Sequence, residues 1–128
     1  MQKLAAVEEA KALMREAAEW SLWSWLMRKS SLRRHADEAW KALEDLDGRV
    51  RAGWSVEVKK AYRSRNVNGA MQRLRTADEE WRAAREEAEA TFDEAERRMS
   101  TEMACEGAEQ AIAAWELMEK AIRLAEKL

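Results

Sequence analysis

Apolar residues recur every three or four positions along most of the chain, which is the spacing of an amphipathic α-helix. The first such series is Leu4, Val7, Ala10, Met14 and Ala17. No helix breaker interrupts it, so the sequence predicts a first helix over residues 2–29. From Trp20 to Met27, apolar side chains surround this helix on every side, with only two serines between them. A surface helix needs only one apolar face, so we expect the end of this first helix to be buried on more than one side.

A second helix is predicted after the run Arg28-Lys29-Ser30-Ser31, where cations meet the last carbonyls and a serine can act as N-cap. Its apolar seam has a strict spacing of four and three: Leu32, Ala36, Ala39, Leu43, Leu46 and Val50. Two glycines favour an interruption near its end, with a loop over 48–54 and Ser55 capping a short third helix. The alternative is a helix that continues to Arg65, at a cost of about 1 kcal/mol for each glycine.

Two more helices follow the strongest turn signal, Asn66-Val67-Asn68-Gly69. Their seams are Leu74, Ala77, Trp81, Ala84, Ala88, Thr91 and Ala95, and then Ala104, Ala108, Ala111, Trp115, Met118, Ile122 and Ala125. Because the two seams are out of phase, a turn is predicted between Met99 and Ala104, capped at Ser100 or Thr101, with Gly107 as the second choice. The prediction is an all-α, up-down antiparallel bundle of four main helices, the second interrupted near Gly48–Gly53, in a single domain over residues 1–128.

Composition fits this fold and narrows the function classes. The chain has no proline, four glycines and 25 alanines, while seven tryptophans and seven methionines supply the bulk that scarce aliphatic residues do not. One cysteine excludes an intramolecular disulfide, and one histidine with one cysteine cannot build the usual structural zinc site. The N-terminus lacks the apolar segment of a signal peptide, and no run of 18 apolar residues occurs, so we expect a soluble, cytoplasmic protein without membrane contact.

One pole of the predicted bundle gathers most of the unusual residues. They are Trp20, Trp23, Trp25, His35, Trp40, Met99 and Met103. The leading hypothesis is a non-enzymatic bundle that acts through association with its own copy or a partner protein, because Trp and Met are enriched at interface centres. The alternative is an evolved or artificial bundle that binds a flat apolar ligand or a haem-type cofactor, with His35 as metal ligand or acid/base group. In a third interpretation these side chains only fill a core that is otherwise mostly alanine.

Charge is divided along the chain, and the division suggests a second surface. Residues 28–75 carry a formal charge of +7 and residues 76–128 carry −8. Within the basic segment 49–75, the candidate phosphate contacts are Lys59, Lys60, Arg63 and Arg65. Interleaved with them are Trp54 and Tyr62, which could stack on unpaired bases, so nucleic-acid binding is a further hypothesis. Alternatively, the basic segment packs beside the acidic helices and its charge is offset there.

Enzymatic chemistry finds little support in the residue pattern. A di-iron bundle uses Glu-x-x-His on two helices, but the only histidine, His35, follows Leu32 at that spacing. Cys105 and His35 could form a nucleophile and base only if the fold brought them together, and the sequence shows no third group to orient them. We therefore expect a protein that is not an enzyme.

Overall fold

The computed structural model describes residues 3–64 and 69–128, and these residues form five α-helices joined by short connections. The helices are α1 (Ala5–Ala17), α2 (Leu22–Ala52), α3 (Val56–Arg63), α4 (Ala70–Arg98) and α5 (Thr101–Glu126). α5 lies at the centre and packs against α1, α2 and α4, whereas the short α3 packs against α4. The predicted all-α bundle is confirmed. Within the described residues, no helix has both the length and the apolar character needed to cross a membrane.

The first helix is shorter than its apolar pattern predicts. α1 ends at Ala17, and the chain reverses over residues 18–21. Ser21 is the N-cap of α2, since its side chain accepts a hydrogen bond from the Ser24 backbone N–H at 3.2 Å. The turn predicted at residues 28–31 is therefore wrong, because those residues lie inside α2. The apolar residues between 20 and 27 belong to a turn and to the start of a new helix. The hydrophobic pattern alone does not show where the first helix ends and the second begins.

The interruption of the second helix lies later than predicted. α2 continues through Gly48 and ends at Ala52, with Gly53 as its C-cap, so the first part of the predicted 48–54 loop is wrong. Gly48 is exposed, and its backbone stays helical because the rest of a 31-residue helix is held by packing. Ser55 caps α3 as predicted, by accepting from the Val58 N–H at 3.2 Å. Of the predicted turn at residues 66–69, only Gly69 lies within the described residues, and its φ of 63° suits glycine.

The register change between the last two helices is confirmed. Met99 ends α4 in the left-handed region at φ 51°, and Ser100 caps α5 through the Met103 N–H. Gly107 is not a break but a buried position inside α5. A Cβ there would lie 3.2 Å from the Phe92 ring, so glycine allows α4 and α5 to approach closely.

The core contains three tryptophans at mid-height of the bundle. Trp40 of α2 lies 6.0 Å from Trp81 of α4 and 6.2 Å from Trp115 of α5, measured between ring centroids. All seven predicted seam positions of α5 are buried around them. The core is therefore built from large rings set among alanines, as the composition predicts.

Candidate functional site

The tryptophans predicted at one pole have different surroundings in the structure. Trp25 is 3% exposed and packs with Ala95 and Ala104, where α4 ends and α5 begins. Trp20 and Met103 pack beside this small cluster and are partly buried. These side chains hold the pole together, so they have little surface left for a partner.

An apolar surface remains beside this cluster, at the start of α2. Trp23 is 74% exposed, Met27 is 76% exposed and Leu22 is 45% exposed. Trp23 and Met27 are four residues apart and so share one face of the helix. We call Leu22, Trp23 and Met27 the α2 stripe. Met99, at the α4–α5 turn of the same pole, is 55% exposed.

The α2 stripe is exposed although α1 ends close to it. Glu16, near the end of α1, accepts a hydrogen bond from Arg28 at 2.9 Å, so α1 ends beside the second turn of α2. The Arg28 guanidinium also lies 4.3 Å from the Trp20 ring centroid. This hydrogen bond lowers the pKa of the Glu16 carboxyl. The end of α1 thus packs beside the second turn of α2 and leaves the α2 stripe exposed.

Two of the predicted contact residues lie away from that pole. Trp40 is buried in the central aromatic cluster, and the cleft beside it has a volume of about 30 Å³. Small-molecule pockets usually measure about 300–1,000 Å³, so this cleft is much smaller than a typical ligand site. His35 is half-buried on α2, with Nδ1 2.7 Å from the Ser31 carbonyl oxygen.

Cys105 is the remaining nucleophile considered from the sequence. It is partly buried near the start of α5, and burial raises the pKa of its thiol, with a further contribution from the Glu109 charge. An activated cysteine requires the opposite shift, because the thiolate is the reactive form. Among the described residues, no group of three or more His, Cys, Asp or Glu side chains could hold a metal ion.

At the opposite pole, the buried carboxylate of Asp78 binds side chains of the basic segment 49–75. Asp78 of α4 is 1% exposed and accepts hydrogen bonds from three side chains. Arg51 donates at 2.8 and 2.9 Å, Tyr62 at 2.5 Å and the Trp81 indole at 3.1 Å. Four hydrogen bonds are about what two carboxylate oxygens can accept, so the buried charge is fully paired.

This network ties α2, α3 and α4 together. Arg51 also donates to Asp47 at 2.9 Å, and Arg75 donates to the backbone carbonyl of Tyr62. Although burial alone would lower the pKa of Arg51, the hydrogen bonds to Asp78 and its neighbours raise it, so the guanidinium stays charged. This site was not predicted from the sequence. Its signal was Asp78 itself, which lies four residues after Leu74 and three before Trp81, on the apolar seam of α4.

Three of the four predicted phosphate contacts lie on α3, outside the network. Lys59, Lys60 and Arg63 are exposed, and they form no ion pair with the described residues; Arg65 lies outside those residues. Elsewhere, basic residues between 28 and 75 do form ion pairs with the acidic part of the chain. Arg33, for example, pairs with Asp93 at 2.7 Å and with Glu96 at 2.9 Å. The exposed cations of α3 thus differ from Arg33 of α2, whose charge is offset by carboxylates of α4.

Comparison of the chain with protein-family models, curated proteins and solved structures gave no significant match.

Proposed function

We propose that this protein is a non-enzymatic helical bundle that works by association, and that the α2 stripe is its contact surface. The supporting observation is that Trp23 and Met27 lie side by side, each about three-quarters exposed, at the uncovered start of a long helix. Trp is the residue most enriched among interface hot spots, and Met adapts to irregular partner surfaces. Burying such side chains is worth about 1.5–3 kcal/mol for each of them.

A second copy of the same chain is the occupant that fits this surface best. An apolar patch is self-complementary about a two-fold axis, because it needs no opposite charge across the interface. If two copies of α2 pack antiparallel around residues 24 and 25, Leu22 of each copy faces Met27 of the other. A standard interface buries about 800 Å² on each side, which exceeds what three side chains provide. Association is therefore expected to be weak and concentration-dependent, with polar neighbours forming the rim.

Light scattering over a hundredfold range of protein concentration, at low and high salt, tests the proposal. We expect a monomer at low concentration and a dimer at high concentration, with little effect of salt because the contact is apolar. The double variant Trp23→Ser, Met27→Ser should remain monomeric throughout while its helix content by circular dichroism is unchanged.

Two further variants serve as controls. Val56→Ser removes another exposed apolar side chain, on α3 at the opposite pole, and should leave the dimer intact. Trp25→Ser removes a buried ring and should instead lower the free energy of unfolding by about 3–5 kcal/mol. A wild-type monomer at every concentration would overturn the proposal, and so would a dimer that survives the double substitution.

A further inference from the structure

A cleft between the end of α2 and α3 combines aromatic rings with uncompensated positive charge. Its volume is about 340 Å³, within the usual range for small-molecule sites. On the α2 side it is lined by Gly48, which has no side chain, and by Ala52, whose side chain is a single methyl group. A Cβ added at Gly48 would meet no other atom within 4 Å. The cleft therefore has room for a ligand without rearrangement.

The cations of the cleft come from one face of α3. Lys59 and Arg63 are four residues apart, so their side chains project in the same direction. Both are exposed, and neither has an ion-pair partner within the described residues. Arg51 also lines the cleft, but its charge is already paired with Asp78 and Asp47. Two positive charges thus remain for an anion.

The rings of the cleft are held in fixed positions. The centroids of Trp54 and Tyr62 are 5.6 Å apart, with the ring planes at 54°. The Trp54 indole donates to the Ala125 carbonyl oxygen at 2.9 Å, and the Tyr62 hydroxyl donates to Asp78 at 2.5 Å. The Arg51 guanidinium lies 5.2 Å from both ring centroids. Because these contacts fix the rings in advance, a planar ligand can pack against them at little entropic cost.

We propose that this cleft binds a nucleoside phosphate, with the phosphate against Lys59 and Arg63 and the base against Trp54 and Tyr62. Lysine and arginine both bind phosphate through charge-assisted hydrogen bonds, and an aromatic wall accepts any base by stacking. A free nucleotide and a nucleotide of a single strand present the same chemistry to this cleft. The site is independent of the α2 stripe, which lies at the other end of α2.

Isothermal titration calorimetry of the full chain tests the proposal, with adenosine 5′-monophosphate, adenosine and inorganic phosphate as probes. We expect the monophosphate to bind more tightly than either part alone. The double variant Lys59→Gln, Arg63→Gln should weaken its binding about tenfold for each cation removed. The matched control is Lys60→Gln, Arg73→Gln, which removes the same charge from exposed positions that do not line the cleft, and it should change the affinity less than twofold.

The source of the nucleotide is distinguished by two further titrations. Tighter binding of a single-stranded oligonucleotide than of the monophosphate assigns the site to a strand, and the reverse assigns it to a free nucleotide; both support the proposal. Equal binding of the monophosphate and inorganic phosphate would overturn it, because the rings would then contribute nothing. Equal losses in the two double variants, or equal affinity for a duplex whose bases are already stacked, would also overturn it, since they indicate a diffuse charge effect.

Discussion

At the scale of single residues, Tyr62 links the buried network to the surface cleft. Burial raises the pKa of its hydroxyl, and the hydrogen bond that it donates to the Asp78 carboxylate raises that pKa further. Ionisation would place a second negative charge against Asp78 while removing the proton that bridges them. The protonated form is therefore part of the folded structure, and it also keeps one ring of the cleft in place.

At alkaline pH, the stability of the fold should depend on the protonation of Tyr62. A folded pKa above the unfolded value of about 10 means that the stabilisation by Tyr62 is fully present below pH 10 and is lost as the pH rises through the folded pKa. Tyr62 is the only tyrosine in the chain, so tyrosinate absorbance reports its titration directly. We expect this absorbance to rise at higher pH in the folded protein than in urea. Tyr62→Phe should have a flatter dependence of unfolding free energy on pH in that range, and an ordinary tyrosine pKa in the folded state would contradict the argument.

At the scale of helices, the sequence predicts those features that depend on the spacing of apolar residues and on capping side chains. The seams of α4 and α5, the turn at Ser100 and the cap at Ser55 follow from residue spacing and side-chain chemistry, and all are present in the structure. The end of α1 was not predictable in that way, because Ser21 as N-cap resembles any serine inside an apolar run. Of the α2 stripe, the sequence therefore predicts only Trp23 as a contact residue, in one group with Trp25 and Trp40, whose burial depends on packing with distant helices. Asp78 was missed for the same reason, since its partners come from three helices.

Substitutions at two helical glycines separate the effect of helix propensity on stability from the effect of packing. Gly48 is exposed in α2 with open space around it, so Gly48→Ala should raise the free energy of unfolding by about 1 kcal/mol. Gly107→Ala brings the same gain in helix propensity but places a methyl group 3.2 Å from the Phe92 ring, and overpacking costs about 1–3 kcal/mol. Urea denaturation should therefore show Gly48→Ala to be the more stable variant. Equal stabilisation by both would mean that Phe92 moves aside freely and that α4 and α5 do not require the glycine.

At the scale of the whole molecule, the two proposed surfaces lie at opposite ends of α2. Trp23 and Arg51 are separated by 28 residues of continuous helix, or roughly 40 Å at the usual helical rise. Ion pairs such as those of Arg33 with α4 neutralise the basic face between the two ends. The two surfaces therefore lie on the same rigid helix, but they have no residue in common and the charges of one do not act on the other.

This separation predicts that the two surfaces act independently. Sites more than about 10 Å apart without shared partners behave additively, and charges are screened beyond about 8 Å at physiological salt. Trp23→Ser, Met27→Ser should thus bind adenosine 5′-monophosphate with wild-type affinity, and Lys59→Gln, Arg63→Gln should dimerise like the wild type. The quadruple variant should show both losses, each of the size measured separately. A dimer that weakens when the cleft is occupied would instead require α2 to transmit a change along its length, because neither ligand touches the other's surface.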